Sequence, residues 1–234
     1  MTPDSGQRVH VLRFAAPGAR ESLTALWTVA DEIHASARPA LDHTVAHARL
    51  AWWQEECART ARGAAAHPLT TLLSRCTREM VGVWPQLGGC VHAAVLELAH
   101  APLSTAGERR AYADASLGTM FRTMAQLLGA SSPESEAAGQ LGTQMRLLQL
   151  DSHAAGMVAS VRAALTRLPP AAQPGLRPLL VWVALLDAES RTAGLRALSP
   201  RLTSLRQELG TTVRAWRAAV AATRGRFQLP GAGK

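Results

Sequence analysis

Ala48 to Leu73 reads ARLAWWQEECARTARGAAAHPLTTLL. A run of mixed charge with no helix breaker extends to Arg62, then Gly63, then His67-Pro68. Gly63 suits the residue after a helix, because glycine takes the left-handed conformation that closes the last turn. Pro68 suits a first helical turn, where its missing N–H costs nothing. The stretch therefore reads as helix, short link, helix. The rest of the chain speaks the same language. Its 234 residues are 47% hydrophobic and 18% charged, a globular composition rather than a disordered one. Alanine, leucine and arginine dominate, while β-branched and aromatic residues are scarce, which favours helix over strand. No segment alternates with period two, and no Asn-Gly or Asp-Gly turn lies between apolar runs. The expected class is all-α.

Outward from this stretch, apolar spacing predicts about nine helices. Residues 1–12 read as a loose, flexible N-terminus. Leu23, Leu26, Trp27, Ala30 and Ile33 then recur at helical spacing from about Arg20, and Arg38-Pro39 ends that helix. A second helix spans about Leu41 to Arg62, with Leu41, Val45, Ala48 and Trp52 as one stripe and Leu50, Trp53 and Cys57 beside it. A third runs from Pro68 to about Val83. Trp84-Pro85 and Gly88-Gly89 read as a break before a fourth, Cys90 to His100. A long helix from Gly107 to Leu128 presents Tyr112, Leu117, Met120, Met124 and Leu127. Ser131-Ser132-Pro133-Glu134 caps a sixth helix that reaches about Ala155. Met157 to Leu168, residues 175–192 and residues 200–224 complete the set. Short connections favour one helical domain over 13–225, with 226–234 as a flexible tail.

The net charge is +8, and the only lysine is Lys234. An arginine excess of this kind follows from GC-rich coding or from attraction to phosphates, diphosphates or an anionic membrane surface. Nucleic acid is disfavoured, because the arginines are scattered and no recognition motif occurs. Cys57, Cys76 and Cys90 have no paired spacing and read as buried small hydrophobes in a reducing compartment. The first residues carry no secretory pattern. The longest apolar run, Pro178 to Leu186, falls far short of the ~20 residues a membrane span needs. A cytoplasmic location, or a peripheral one on the inner membrane, is the expectation.

Arg49-Leu50-Ala51-Trp52-Trp53, then Glu55 or Glu56, Gly63 and His67-Pro68 resemble the signature "R-L-x-W-W-x-x-E … G … H-P" of the squalene/phytoene synthase family. Phe14-Ala15-Ala16-Pro17 with Arg20-Glu21 to Trp27, Arg109 to Gly129, Leu141-Gly142 to Gln149, Leu168-Pro169 and Arg177 to Leu186 resemble further family segments in the family's order. The resemblance implies a single-domain helical bundle of the isoprenoid synthase type around a central apolar cavity. It implies Trp27, Trp52, Trp53, Arg49, Tyr112, Arg122 and Gln149 as candidate cavity-lining residues.

Enzymes of this family need two aspartate-rich motifs on facing helices. Carboxylates four residues apart share a helix face, and two such pairs hold Mg²⁺ against a diphosphate leaving group. The first motif falls at Asp31 to Ala35, where Asp31 and Glu32 are present but the closing acid is alanine. The second begins near Gln149 and meets His153 and Met157, with Asp151 off register. Asp31, Glu32 and Asp151 are the candidate diphosphate or metal residues, with Mg²⁺ the cofactor if the protein is an enzyme. Loss of acids at both motifs resembles the family's non-enzymatic branch, which includes respiratory complex I assembly factors. The expected partners are an isoprenoid or other hydrophobic ligand, or a protein; active head-to-head prenyl transfer and a plain helical interaction module are the alternatives.

Other constellations carry less. His43 and His47 share a helix face but lack a third ligand. No nucleophile elbow, phosphate-binding glycine loop or dinucleotide fingerprint occurs. Gly139 and Gly142 inside a helix point to close packing.

Overall fold

Helix ends in this chain are set largely by their own side chains. The computed structural model describes residues 2–38, 42–77, 82–151, 156–192 and 204–229. Expectations at Pro39, Leu41, His153 and the end of the tail lie outside them. Within the described residues the chain forms eleven α-helical segments and no strand, in agreement with the all-α expectation.

The first helix, α1 (Ser5–Arg13), lies in the segment expected to be loose. Asp4 accepts from the Gln7 backbone N–H at 2.8 Å, while the Gln7 side chain accepts from the Asp4 N–H at 3.3 Å. This reciprocal cap closes two otherwise open donors. Tertiary contacts complete the helix: Val11 is fully buried, and the Gln7 amide donates to Glu189 at 2.6 Å. The next helix, α2 (Pro17–Ala35), begins earlier than expected because Pro17 occupies its first turn. It buries Leu23, Leu26, Trp27, Ala30 and Ile33, the stripe that the spacing predicts.

In α3 (His43–Ala61) the inward stripe is the other one. Ala46, Leu50, Trp53, Cys57 and Thr60 are buried, whereas Val45 is 44% and Trp52 40% exposed. The two stripes are adjacent and similarly apolar, so only the packing partner distinguishes them. That partner is chiefly α5 (Val83–Leu98), with α4 (Pro68–Cys76) across the end. The expected break at Trp84-Pro85 and Gly88-Gly89 is absent, and α5 runs through it. Pro85 is the third helical residue, where no intrahelical N–H bond is required. Gly88 is helical too, and a Cβ there would meet the Gln54 amide of α3 at 3.2 Å.

The expected long helix is present as α6 (Ala106–Ala113), a π-turn (Asp114–Gly118) and α7 (Thr119–Leu127). Beside it run α8 (Ser132–Leu150) and α9 (Met157–Thr166), then α10 (Arg177–Thr192) and α11 (Ser204–Thr223). Trp27 of α2, Phe121 of α7 and Trp182 of α10 meet in the centre, with ring centroids 6.4 Å (Trp27–Trp182) and 4.9 Å (Phe121–Trp182) apart. All three rings, and Met124 beside them, are closed to water. Where a central cavity was expected, this level of the bundle is therefore solid.

The π-turn and α8 approach each other closely at two glycines. A Cβ on Gly142 would lie 2.5 Å from the Leu117 carbonyl and 2.9 Å from Phe121. One on Gly118 would lie 2.5 Å from the Thr143 hydroxyl and 2.9 Å from Asp114. Gly142, expected to serve packing, and Gly118, which the sequence did not single out, thus set the distance between the π-turn and α8. Gly142→Ala will lower the thermal midpoint by several degrees, equivalent to roughly 1–3 kcal/mol of overpacking. Gly18→Ala, where a Cβ meets nothing within 4 Å, will leave it unchanged in the same calorimetric scan.

Candidate functional site

Three side-chain groupings bear on function, and the first is built from the stretch that carries the family signature. Glu56 is completely shielded from water at the end of α3. Its carboxylate accepts from the backbone N–H groups of Ala66 and His67, both at 2.9 Å, and from the Thr70 hydroxyl. Arg59 donates to the other oxygen at 2.6 and 3.1 Å. The sequence left Glu55 and Glu56 as alternatives; Glu55 is exposed and reaches only Arg62, at 3.3 Å. Gly63, at φ +78°, turns the chain between the two helices. His67 caps α4 through Nδ1, and its ring packs against Trp53 and Trp52 at 5.2 and 5.7 Å. The Trp-Trp, Glu, Gly, His-Pro pattern is therefore a structural joint between α3 and α4.

The second grouping surrounds Asp31. Its carboxylate is bound by the Arg8 guanidinium and by the Thr2 hydroxyl. Arg8 also donates to the Pro3 carbonyl at 2.8 Å. An open pocket of about 420 Å³ lies here, lined by Thr2, Pro3, Asp4, Arg8, Asp31, His34, Ala35 and Arg38. Ala35 shares the helix face with Asp31, as the four-residue spacing requires, but presents a methyl group there. Glu32 is exposed; as Asp31's immediate neighbour on a helix it points about 100° away. His34 donates from Nδ1 to the Ala30 carbonyl, 2.8 Å away, and burial holds its imidazole below the ordinary value. Asp151 is the exposed residue that ends α8, and none of Asp31's hydrogen-bond partners comes from that helix. Among the described residues no three of His, Cys, Asp and Glu converge. The residues present thus do not fit a Mg²⁺ cluster: one carboxylate is already neutralised by arginine, and its expected companion is absent.

The third grouping joins Tyr112 and Gln149 through Arg146. The Tyr112 hydroxyl donates to Glu97, and Arg146 donates to the Tyr112 oxygen and, at 3.3 Å, to Gln149. Arg146 also stands 5.1 Å over the Tyr112 ring and 3.8 Å from Glu97. Burial, then the hydrogen bond to Glu97, pushes the Tyr112 hydroxyl above its usual value. Arg122 belongs to a separate set: it bridges Asp114 at 3.1 Å and Glu136 at 2.9 Å, and Thr143 donates to Asp114 at 3.0 Å.

The candidate cavity residues therefore part company. Trp27 is core, and Trp53 belongs to the α3–α4 joint. Trp52 and Arg49 lie on the outer side of α3, because its other stripe faces inward. Arg8, Glu97, Arg146 and Asp114 escaped the sequence reading. Arg146 stands three residues before Gln149, a same-face spacing that could have revealed it. The Asp4-x-x-Gln7 cap could have shown that Arg8 sits on a helix. His43 and His47 pair ring to ring at 4.5 Å on the exposed side of α3. Cys57 and Cys90 are buried, and burial pushes their thiols up to about 12 and about 11; Cys76, expected to be buried, is partly exposed. No helix among the described residues is long and apolar enough to cross a membrane.

Residues 5–150, more than half of the chain, match the family model described as squalene/phytoene synthase. Searches of curated proteins and of solved structures each found no match.

Burial pushes the Glu56 carboxyl up, but hydrogen bonds from Thr70, His67, Arg59 and Ala66 together prevail and hold it at about 2, below the ordinary 4.5. A carboxyl depressed in the folded state stabilises the fold above its unfolded value, and that contribution fades as pH falls from about 4.5 to about 2. The difference corresponds to about 3 kcal/mol. Glu56→Gln will lower the midpoint at pH 7 by roughly 6–12 °C. The gap between wild type and variant will narrow across that acid window in calorimetric scans. A constant gap would show that the carboxylate's charge contributes nothing.

Proposed function

This chain belongs to the squalene/phytoene synthase family, and we propose that it is a catalytically degenerate member. In this reading it keeps the helical scaffold and binds an isoprenoid-like hydrophobic ligand or a protein partner, without Mg²⁺-dependent prenyl transfer. The observation that carries the reading is the ion pair between Arg8 and Asp31, with Ala35 in place of the companion acid. A carboxylate needed for Mg²⁺ must be free to face the ion, and Mg²⁺ surrenders its water only where several carboxylates converge. Here the guanidinium supplies the positive charge that an ion would otherwise bring. A role in respiratory-complex assembly follows from the likeness to the non-enzymatic branch and belongs to the same reading.

One observation favours the second reading, an active prenyl-diphosphate transferase using Asp31, Glu32 and Asp151. The pocket at Asp31 is open, and Arg8, His34 and Arg38 line it, a basic setting suited to a diphosphate. Isothermal titration with farnesyl thiodiphosphate, with and without Mg²⁺, separates the two. The expected result is no binding, or binding of equal strength in both conditions. Tight binding that requires Mg²⁺, or Mg²⁺-dependent turnover of farnesyl or geranylgeranyl diphosphate lost in Asp31→Ala, would reverse the order of the two readings.

A further inference from the structure

We propose that the outer face formed by α1 and α11 is a docking surface for an anionic lipid bilayer. The proposal does not depend on whether the pocket at Asp31 binds or turns over a diphosphate.

The face is apolar where a water-facing helix pair should be polar. Trp216 is 59% exposed, Val213 47% and Val9 58%, and among the described residues they account for half of the six large exposed hydrophobic residues. They lie together. Val213 and Trp216 of α11 border, with His10, Arg13 and Phe14, a shallow groove of about 270 Å³ between the two helices. Val9 precedes Arg13 by four residues and so occupies the same stripe of α1. On α11 the inward side is Ala215, Ala218, Ala219 and Ala222, all buried. Small residues there let α11 lie close on α10 and leave the large side chains outside.

The charge of the same face is predominantly positive. The sequence of α11 holds Arg206, Arg214 and Arg217 against one acid, Glu208; Arg224 and Arg226 follow it, and α1 contains Arg8, His10 and Arg13 and no acid. Arg8 is engaged by Asp31; among the described residues, no carboxylate pairs with Arg13, Arg214, Arg217 or Arg224. Arg214 and Arg217 are exposed beside Trp216. A surface that joins unpaired arginines to a tryptophan and two valines matches a bilayer interface. Anionic headgroups attract the guanidinium groups, the amphipathic indole sits at headgroup depth, and the aliphatic side chains enter the acyl boundary. A nucleic acid would satisfy the arginines but would leave the valines without a partner.

Cosedimentation of the full chain with vesicles tests this. Binding to phosphatidylcholine vesicles containing phosphatidylglycerol is expected, with weak or no binding to pure phosphatidylcholine, and with loss as salt rises. The double variant Arg214→Glu, Arg217→Glu should bind the anionic vesicles roughly tenfold or more weakly. Trp216→Phe tests depth without relying on that variant's folding: quenching of tryptophan fluorescence by brominated acyl chains should be strong in wild type and largely lost in this variant. Equal binding to neutral and anionic vesicles, unchanged quenching in Trp216→Phe, or tighter retention on single-stranded RNA than on anionic vesicles at the same salt would each overturn the proposal.

Discussion

A carboxylate sealed from water must find its hydrogen bonds within the protein, and Glu56 finds them at the start of the following helix. Two of its donors are backbone N–H groups at the head of α4, which no helical carbonyl can satisfy. The same carboxylate therefore ends one helix and begins the next. Because the α3–α4 angle is set there, so is the way α3 lies against α5. Trp53 and His67 pack over the joint and exclude water, which strengthens every hydrogen bond beneath them. The family signature thus serves architecture in this chain.

A second constraint is imposed by absence of volume. Gly118 and Gly142 let the π-turn and α8 approach until each Cα meets the other's atoms. The π-turn adds a residue to the helix and places Asp114 toward Thr143 and Arg122. Phe121, which borders the same contact, reaches Trp182 with its ring. Among the described residues, the close helices and the interlocked rings fill the level of the bundle that holds Trp27, Phe121 and Trp182. What open volume borders Asp31 is at the surface, where α1 lies over α2.

That placement decides the chemistry available. Asp31 and Ala35 could have been read as half of a metal site with a gap, waiting for acids from elsewhere. The segment that arrives is α1, and it brings a guanidinium. A permanent cation is thus paired to Asp31 where the family pattern would place a metal ligand. The cluster of Glu97, Tyr112, Arg146 and Gln149 is likewise internally balanced.

The sequence by itself determined whatever depends on near neighbours. Helical spacing marked the stripe of α2, Pro68 and Pro133 marked helix starts, Gly63 marked a turn, and the four-residue step from Asp31 to Ala35 exposed the missing acid. These are local because helix geometry ties residues three or four apart. The tertiary structure alone decided which of two equally apolar stripes of α3 faces inward and that Pro85 and Gly88 lie inside a helix. It also decided that Arg8 meets Asp31 and that Arg146 joins Tyr112 to Gln149. Each of these unions brings together segments remote along the chain, and spacing within one segment carries no information about which distant side chain will pack against it.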